Sequence, residues 1–255
     1  MDAWEKALAK FIEPWKKRVD VEGVLVAGSY VWGVPTKYSD IDVHIVLSDK
    51  VNWRERGNKV VDGFLVEYFA NPPKQIKRYM QENYKSGKRT DAMMFSKGKI
   101  LFDKRGEVKK LRQFANSEMK RKFIKLRGTE LELAKYALWD HLDNLNDLAD
   151  QKSPGFNLLY NLLLEKVIYT YARYAGVDVG SPAKLHKFFT SEKFRKAYGI
   201  NAFPDKKFIK LLLVCLNQSG PGAFKAIEKL TLRVFKKTGG LKIDGWKVKT
   251  PLKLN

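Results

Sequence analysis

The chain has 255 residues, with 49 lysines and arginines against 28 aspartates and glutamates, a formal net charge of +21. That length builds one large domain or two ordinary ones. A content of 44% hydrophobic and 30% charged residues excludes wholesale disorder. The longest apolar run, 211–216, is far too short to span a bilayer. The single cysteine, Cys215, excludes an intrachain disulfide framework, and with three histidines at no ligand spacing it argues against structural zinc. The opening residues show no basic segment followed by an apolar one, so no signal peptide and a cytoplasmic, membrane-free setting are expected.

In chain order, apolar residues at 4, 7, 8, 11, 12, 15 and 19 have helical spacing, interrupted at Pro14. Residues 21–27 are an apolar run ending at Gly28, which reads as a buried strand. Residues 30–33 fit a short helical turn broken by Gly33-Val34-Pro35, and 41–47 alternates as a second strand. Residues 60–69 read as a hairpin around Asp62-Gly63, with 64–69 the third strand, closed by Pro72-Pro73. Residues 74–83 look helical. Residues 92–102 read as one or two short strands around Lys97-Gly98-Lys99.

After Asp103 the period becomes helical: 107–126, 129–150, 156–175, 182–198, 205–217 and 221–236. Ser181-Pro182 is expected to open a helix, with Ser as its cap and Pro in its first position. The fold class is therefore α+β, a mixed α/β domain over 1–105 and a helical bundle over 106–240, followed by a basic tail, 241–255, expected to be loosely ordered. The charge follows this division. Residues 1–103 carry 18 basic and 14 acidic side chains, and 104–255 carry 31 and 14. Such a balance attracts polyanions, so a nucleic-acid partner is open, although scattered helix lysines also serve solubility alone.

The informative stretch is Gly28-Ser29-Tyr30-Val31-Trp32-Gly33 followed by Asp40-Ile41-Asp42. Asp40 and Asp42 stand two apart at a strand, so both carboxylates project from one face, where like charges repel. A divalent cation removes that cost, and Mg²⁺ favours one or two carboxylates together with substrate phosphates. Glu67 lies inside the apolar strand 64–69, where an acid needs a partner or a task. Should that strand pair beside the first, Glu67 completes a triad. At Gly28 the backbone can come close to a ligand, and the N–H groups of the next turn with the Ser29 hydroxyl can hold phosphate oxygens. A phosphate cradle beside a metal site is the equipment of phosphoryl or nucleotidyl transfer.

Gly28-Ser29, ten residues, Asp40-x-Asp42 and a later strand carboxylate resemble the nucleotidyltransferase superfamily typified by DNA polymerase β. The likeness is closest to the small bacterial antibiotic nucleotidyltransferases of the kanamycin and lincosamide types, which have a helical C-terminal domain. The resemblance implies a Mg²⁺-dependent enzyme, with one ion or two, moving a nucleoside monophosphate from an NTP, expected to be ATP, to an acceptor hydroxyl. It implies that Gly28 and Ser29 bind the triphosphate and that Asp40 and Asp42 bind Mg²⁺. Glu67 is then a third ligand or the base for the acceptor.

Beyond the motif, Lys184 is a candidate for the phosphates and Arg89 a weaker one. His44 shares the parity of the aspartates, against a plain solvated strand histidine. Asp140, Asp143 and Asp147 share one face of the helix 129–150, opposite Leu131, Leu138, Leu142 and Leu145, and suit a polycationic acceptor such as an aminoglycoside. RNA or protein acceptors, or a catalytically silent nucleotide-binding module, are the alternatives. Tyr160, Tyr169, Tyr171 and Tyr174 read as helix packing.

Overall fold

The computed structural model describes residues 1–251, and the last four residues of the basic tail lie outside them. The chain divides into two units: Met1–Lys122 with Lys193–Ile200, and Phe123–Glu192 with the chain from Asn201 onward.

The first unit is a five-stranded sheet between helices. Helix α1 (Ala3–Lys16) begins with a capping box between Asp2 and Glu5, and Pro14 falls in its last turn, so the helix runs on two residues past it. Strand β1 (Val21–Ala27) leads into a single helical turn, α2 (Gly28–Val31), and strand β2 is Ile41–Leu47. The hairpin arms are β3 (Glu55–Val61) and β4 (Phe64–Asn71), joined at Asp62-Gly63. Next come α3 (Pro73–Lys85), α4 (Thr90–Lys97), β5 (Lys99–Asp103) and α5 (Glu107–Lys120).

The sheet order is β3-β4-β2-β1-β5. β2 and β4 run parallel, and the other pairs are antiparallel. Alternation sorts the side chains onto two faces. Ile41, Val43, Ile45 and Leu47 pack with Leu8, Phe11, Ile12 and Trp15 of α1. On the other face Leu25, Ala27 and Val46 pack with Ile76 and Met80 of α3, Ala92 and Phe95 of α4, and Val108 and Leu111 of α5.

Two sequence expectations are corrected here. Residues 92–97 belong to a helix, because Ala92 and Phe95, three apart, both bury on one face; only 99–103 is strand. The third strand pairs beside β2 rather than β1. In addition β3 starts well before residue 60, in a polar edge segment that shows no apolar alternation.

The second unit is helical: α6 (Gly128–Asp150), α7 (Phe156–Ala175), α8 (Leu185–Thr190), α9 (Glu192–Tyr198, most of it counted with the first unit), α10 (Lys206–Leu216) and α11 (Phe224–Lys237). Leu131, Leu138, Leu142 and Leu145 form the buried stripe of α6. Ser181 makes no side-chain cap, and Pro182–Lys184 is a 3-10 turn rather than the start of one long helix.

Asp205 ties three helices together. It caps α10 through the Phe208 N–H at 3.0 Å, accepts the Tyr171 hydroxyl of α7 at 2.8 Å, and meets the Arg233 guanidinium of α11 at 2.9 Å. The tyrosines pack as expected, with the Tyr160 and Tyr169 hydroxyls donating to the Cys215 and Gly180 carbonyls. The described part of the tail is anchored rather than loose, with Trp246 stacked on Tyr136 at 4.3 Å, and just before it Lys135 Nζ donates to the Gly240 carbonyl at 2.7 Å. Among the described residues no helix is long and apolar enough to cross a membrane.

Candidate active site

The site grows from three neighbouring strands. Asp40 stands just before β2, and Asp42 is its second residue. Asp42 is paired in register with Ala27, the last residue of β1, and with Glu67 on the parallel strand β4. Parallel partners point to the same face, so the Asp42 and Glu67 carboxylates project together. One oxygen from each of Asp40, Asp42 and Glu67 lies within 4.8 Å of the others, and all three residues are half-buried.

Three carboxylates this close repel one another. One cation answers part of that charge: Arg56 Nη2 donates to Glu67 Oε1 at 2.6 Å, and its guanidinium lies over the Phe69 ring, 4.9 Å from the centroid. Arg56 sits on the polar strand β3 that the sequence did not announce. Its spacing from Asp42 carries no signal, because only the β3–β4 pairing brings it to Glu67.

Gly28 closes the other side. Its φ is +80°, and a Cβ there would come within 1.9 Å of Asp42 Oδ2. The site therefore needs glycine twice, for the left-handed backbone and for the room beside the carboxylate. Ser29 follows in the α2 turn, where its carbonyl accepts the Val34 N–H at 3.0 Å. Tyr30 leaves the site to pack on Trp4 and Phe64. Trp32 meets the edge of Tyr198 at 4.8 Å, and Lys97 Nζ donates to the Ala197 carbonyl at 2.5 Å. The late segment Lys193–Ile200 thus belongs to this unit, which sequence patterning did not reveal.

A divalent cation fits these residues. The donor set is all oxygen, the three oxygens already converge, and Gly28 has no side chain to crowd them. Oxygen-only sets suit hard cations such as Mg²⁺.

The other candidates separate. His44 shares the face of Asp42 but is buried, stacked on Phe69 at 5.4 Å, with Nε2 3.2 Å from the Met94 sulfur. Burial pushes its pKa down to about 4, so it is neutral at pH 7 rather than a solvated strand histidine. Arg89 donates to the Arg121 carbonyl within the same unit. Lys184 lies in the helical unit, exposed at the end of its 3-10 turn.

Next to the triad, on the same sheet face, is a cavity of about 580 Å³. His44 and Phe69 form its floor, one alternation step along their strands from Asp42 and Glu67, and α3 and α4 supply its far wall. Asp91, at the start of α4, lines it. Burial raises the Asp91 carboxyl above its ordinary range.

Residues 8–105 match the family model of the nucleotidyltransferase domain. No curated protein matches the chain. Among solved structures it is similar to a nucleotidyltransferase-like protein from Exiguobacterium sibiricum 255-15, with 12% identity, 93% of this chain and 77% of that chain covered, and a TM-score of 0.43.

Proposed function

We propose that the chain, whose residues 8–105 match the family model of the nucleotidyltransferase domain, moves a nucleoside monophosphate from an NTP, ATP first of all, to an acceptor hydroxyl. The observation that carries this reading is the convergence of three carboxylate oxygens within 4.8 Å beside a glycine whose Cβ would meet Asp42 Oδ2 at 1.9 Å.

Asp40 and Asp42 would hold Mg²⁺, with Glu67 as the third oxygen donor. A bound Mg²⁺ supplies charge neutralisation at the phosphates. Gly28 and Ser29 hold the departing β and γ phosphates through backbone N–H groups and the serine hydroxyl. Glu67 is the carboxylate farthest along the sheet from Gly28, and the acceptor proton passes to it. The new bond joins the acceptor oxygen to the α-phosphorus. The α–β bridge breaks, pyrophosphate leaves with that electron pair, and Glu67 returns its proton to solvent. Arg56 holds the Glu67 carboxylate in place throughout.

A small-molecule acceptor is the first reading. In the helical unit Asp143 and Asp147 are exposed, and a polycation such as an aminoglycoside is one candidate of that class. Glu132, on the same helix, is already paired with Lys135. The second reading, an RNA or protein acceptor, has the excess of basic residues after 103 in its favour.

The test is transfer of label from α-labelled ATP with Mg²⁺ into small molecules, total RNA or cell-extract protein. Label in one pool names the acceptor class. Binding of ATP without transfer to any pool, for all four nucleotides, would replace the enzyme by a silent binding module.

A further inference from the structure

The cavity beside the triad has a composition and a place that the transfer reaction has not yet used. It spans the sheet from β2 to the β3 edge. Across the sheet the order is β1, β2, β4, β3, so Gly28 stands at one side, Asp42 and Glu67 in the middle, and Arg56 with the cavity at the other. In-line displacement at phosphorus puts the attacking oxygen opposite the leaving group. With pyrophosphate at Gly28 and Ser29, the attacking hydroxyl comes from the β3 side, which is where the cavity lies. This argument rests on the proposed transferase reading.

We propose that this cavity seats the acceptor, a small molecule with a flat apolar ring, its hydroxyl directed at Glu67. The floor decides the ring. Phe69 and Phe95 offer aromatic surface, and Met94 and Ile76 add apolar wall. At about 580 Å³ the cavity falls within the usual size of a small-molecule site. The step from the Phe69 position back to Glu67 is two strand residues, about 7 Å, which one hydroxylated ring covers.

The rim carries both signs of charge. Arg54 and Arg56 both line the cavity, and Arg54 donates to the Tyr79 hydroxyl, fixing one wall. Of the two acids, Glu55 accepts the Tyr68 hydroxyl at 2.5 Å, and burial raises the Asp91 carboxyl above its ordinary range. Two guanidiniums and two carboxyls leave the rim near charge balance, so the aromatic floor rather than charge selects a flat ring over a sugar polycation. Asp91 and Asn71 supply the polar groups that orient such a ring.

Thr90 gives the test, because it is exposed and lines the cavity, so Thr90→Trp fills the cavity without disturbing the core. The probes are 7-hydroxycoumarin, 2-naphthol and 4-nitrophenol, with kanamycin as the polycation. Binding to the full-length protein is read by fluorescence or calorimetry, with the melting temperature as the folding control and Thr90→Leu as a milder second variant. At least one phenolic probe should bind saturably, about tenfold or more weakly to Thr90→Trp (a loss of about 1.4 kcal/mol). That probe should also change the rate of ATP consumption without competing with Mg²⁺-ATP.

No phenolic binding that Thr90→Trp weakens overturns the proposal, and so does tighter, Thr90-sensitive binding of kanamycin. Competition with ATP assigns the cavity to the donor instead. If the wild type binds a probe but never consumes ATP with Mg²⁺, the transferase reading fails and the acceptor role falls with it, while the cavity remains a ligand site. ATP consumption without probe binding overturns the acceptor assignment alone.

Discussion

At the level of single residues, Gly28 and Glu67 carry most of the account. Gly28→Ala must place a methyl within 1.9 Å of Asp42 Oδ2 on a backbone with φ of +80°. The strained backbone costs about 1–2 kcal/mol. The displaced carboxylate should cost far more in turnover than in stability, with pyrophosphate release falling roughly 100-fold while the melting temperature shifts by a few degrees. Equal and small losses in both would mean that the Asp42 position is not critical. Glu67→Gln keeps shape and hydrogen bonding but removes the charge. It should lower kcat by roughly 100-fold or more and raise the Mg²⁺ concentration needed for half-maximal rate. A titration showing an unchanged Mg²⁺ requirement would strip Glu67 of its ligand role. These residues were legible in the sequence because carboxylates in a half-buried strand and a glycine at a strand end cost energy that folding alone does not justify. Arg56 was not legible, since an arginine on a polar segment costs nothing there, and only the β3–β4 register gives it a partner.

At the level of elements, the errors have physical causes. The run Ala92 to Phe95 is four apolar residues long, too short for its period to separate helix from strand. Burial of Ala92 and Phe95 against α5 and the sheet settles it as helix. The described tail is held by Trp246 on Tyr136, a contact that composition cannot register. In contrast, β1 and β2 were readable residue for residue, because both lie buried in the middle of the sheet, β1 ending in an apolar run and β2 alternating. The Asp205 tie between α7, α10 and α11 makes a prediction of its own. Burial pushes the Asp205 carboxyl up, but the Arg233 guanidinium, the Phe208 N–H and the Tyr171 hydroxyl outweigh it, lowering its pKa from an ordinary 3.8 to about 2. A lowered carboxyl pKa means stability that is full above about pH 4 and is lost as pH falls towards 2, worth roughly 2 kcal/mol. Asp205→Ala leaves Arg233 without its partner and should cost about 3 kcal/mol near neutral pH. The gap in unfolding midpoint between wild type and Asp205→Asn should therefore shrink from pH 5 to pH 2; a constant gap would show that the charge of Asp205 contributes nothing.

At the level of the whole molecule, the +21 charge was the loudest signal in the sequence and the least specific. It attracts any polyanion, and the specific information came instead from three acids among 255 residues. The division into a sheet unit and a helical unit followed from the change in hydrophobic period. The structure counts α5 and the late segment Lys193–Ile200 with the sheet unit, through contacts that no local pattern records. The central claim is that Asp40, Asp42 and Glu67 form a metal-dependent transfer site, and Mg²⁺-dependent release of pyrophosphate from γ-labelled ATP tests it most directly. Wild type should release pyrophosphate only with the metal present, and Asp40→Asn/Asp42→Asn should abolish the release while leaving the melting temperature unchanged or higher, since the substitution relieves charge repulsion. Release that persists in the double variant, or that ignores the removal of Mg²⁺, would contradict the account.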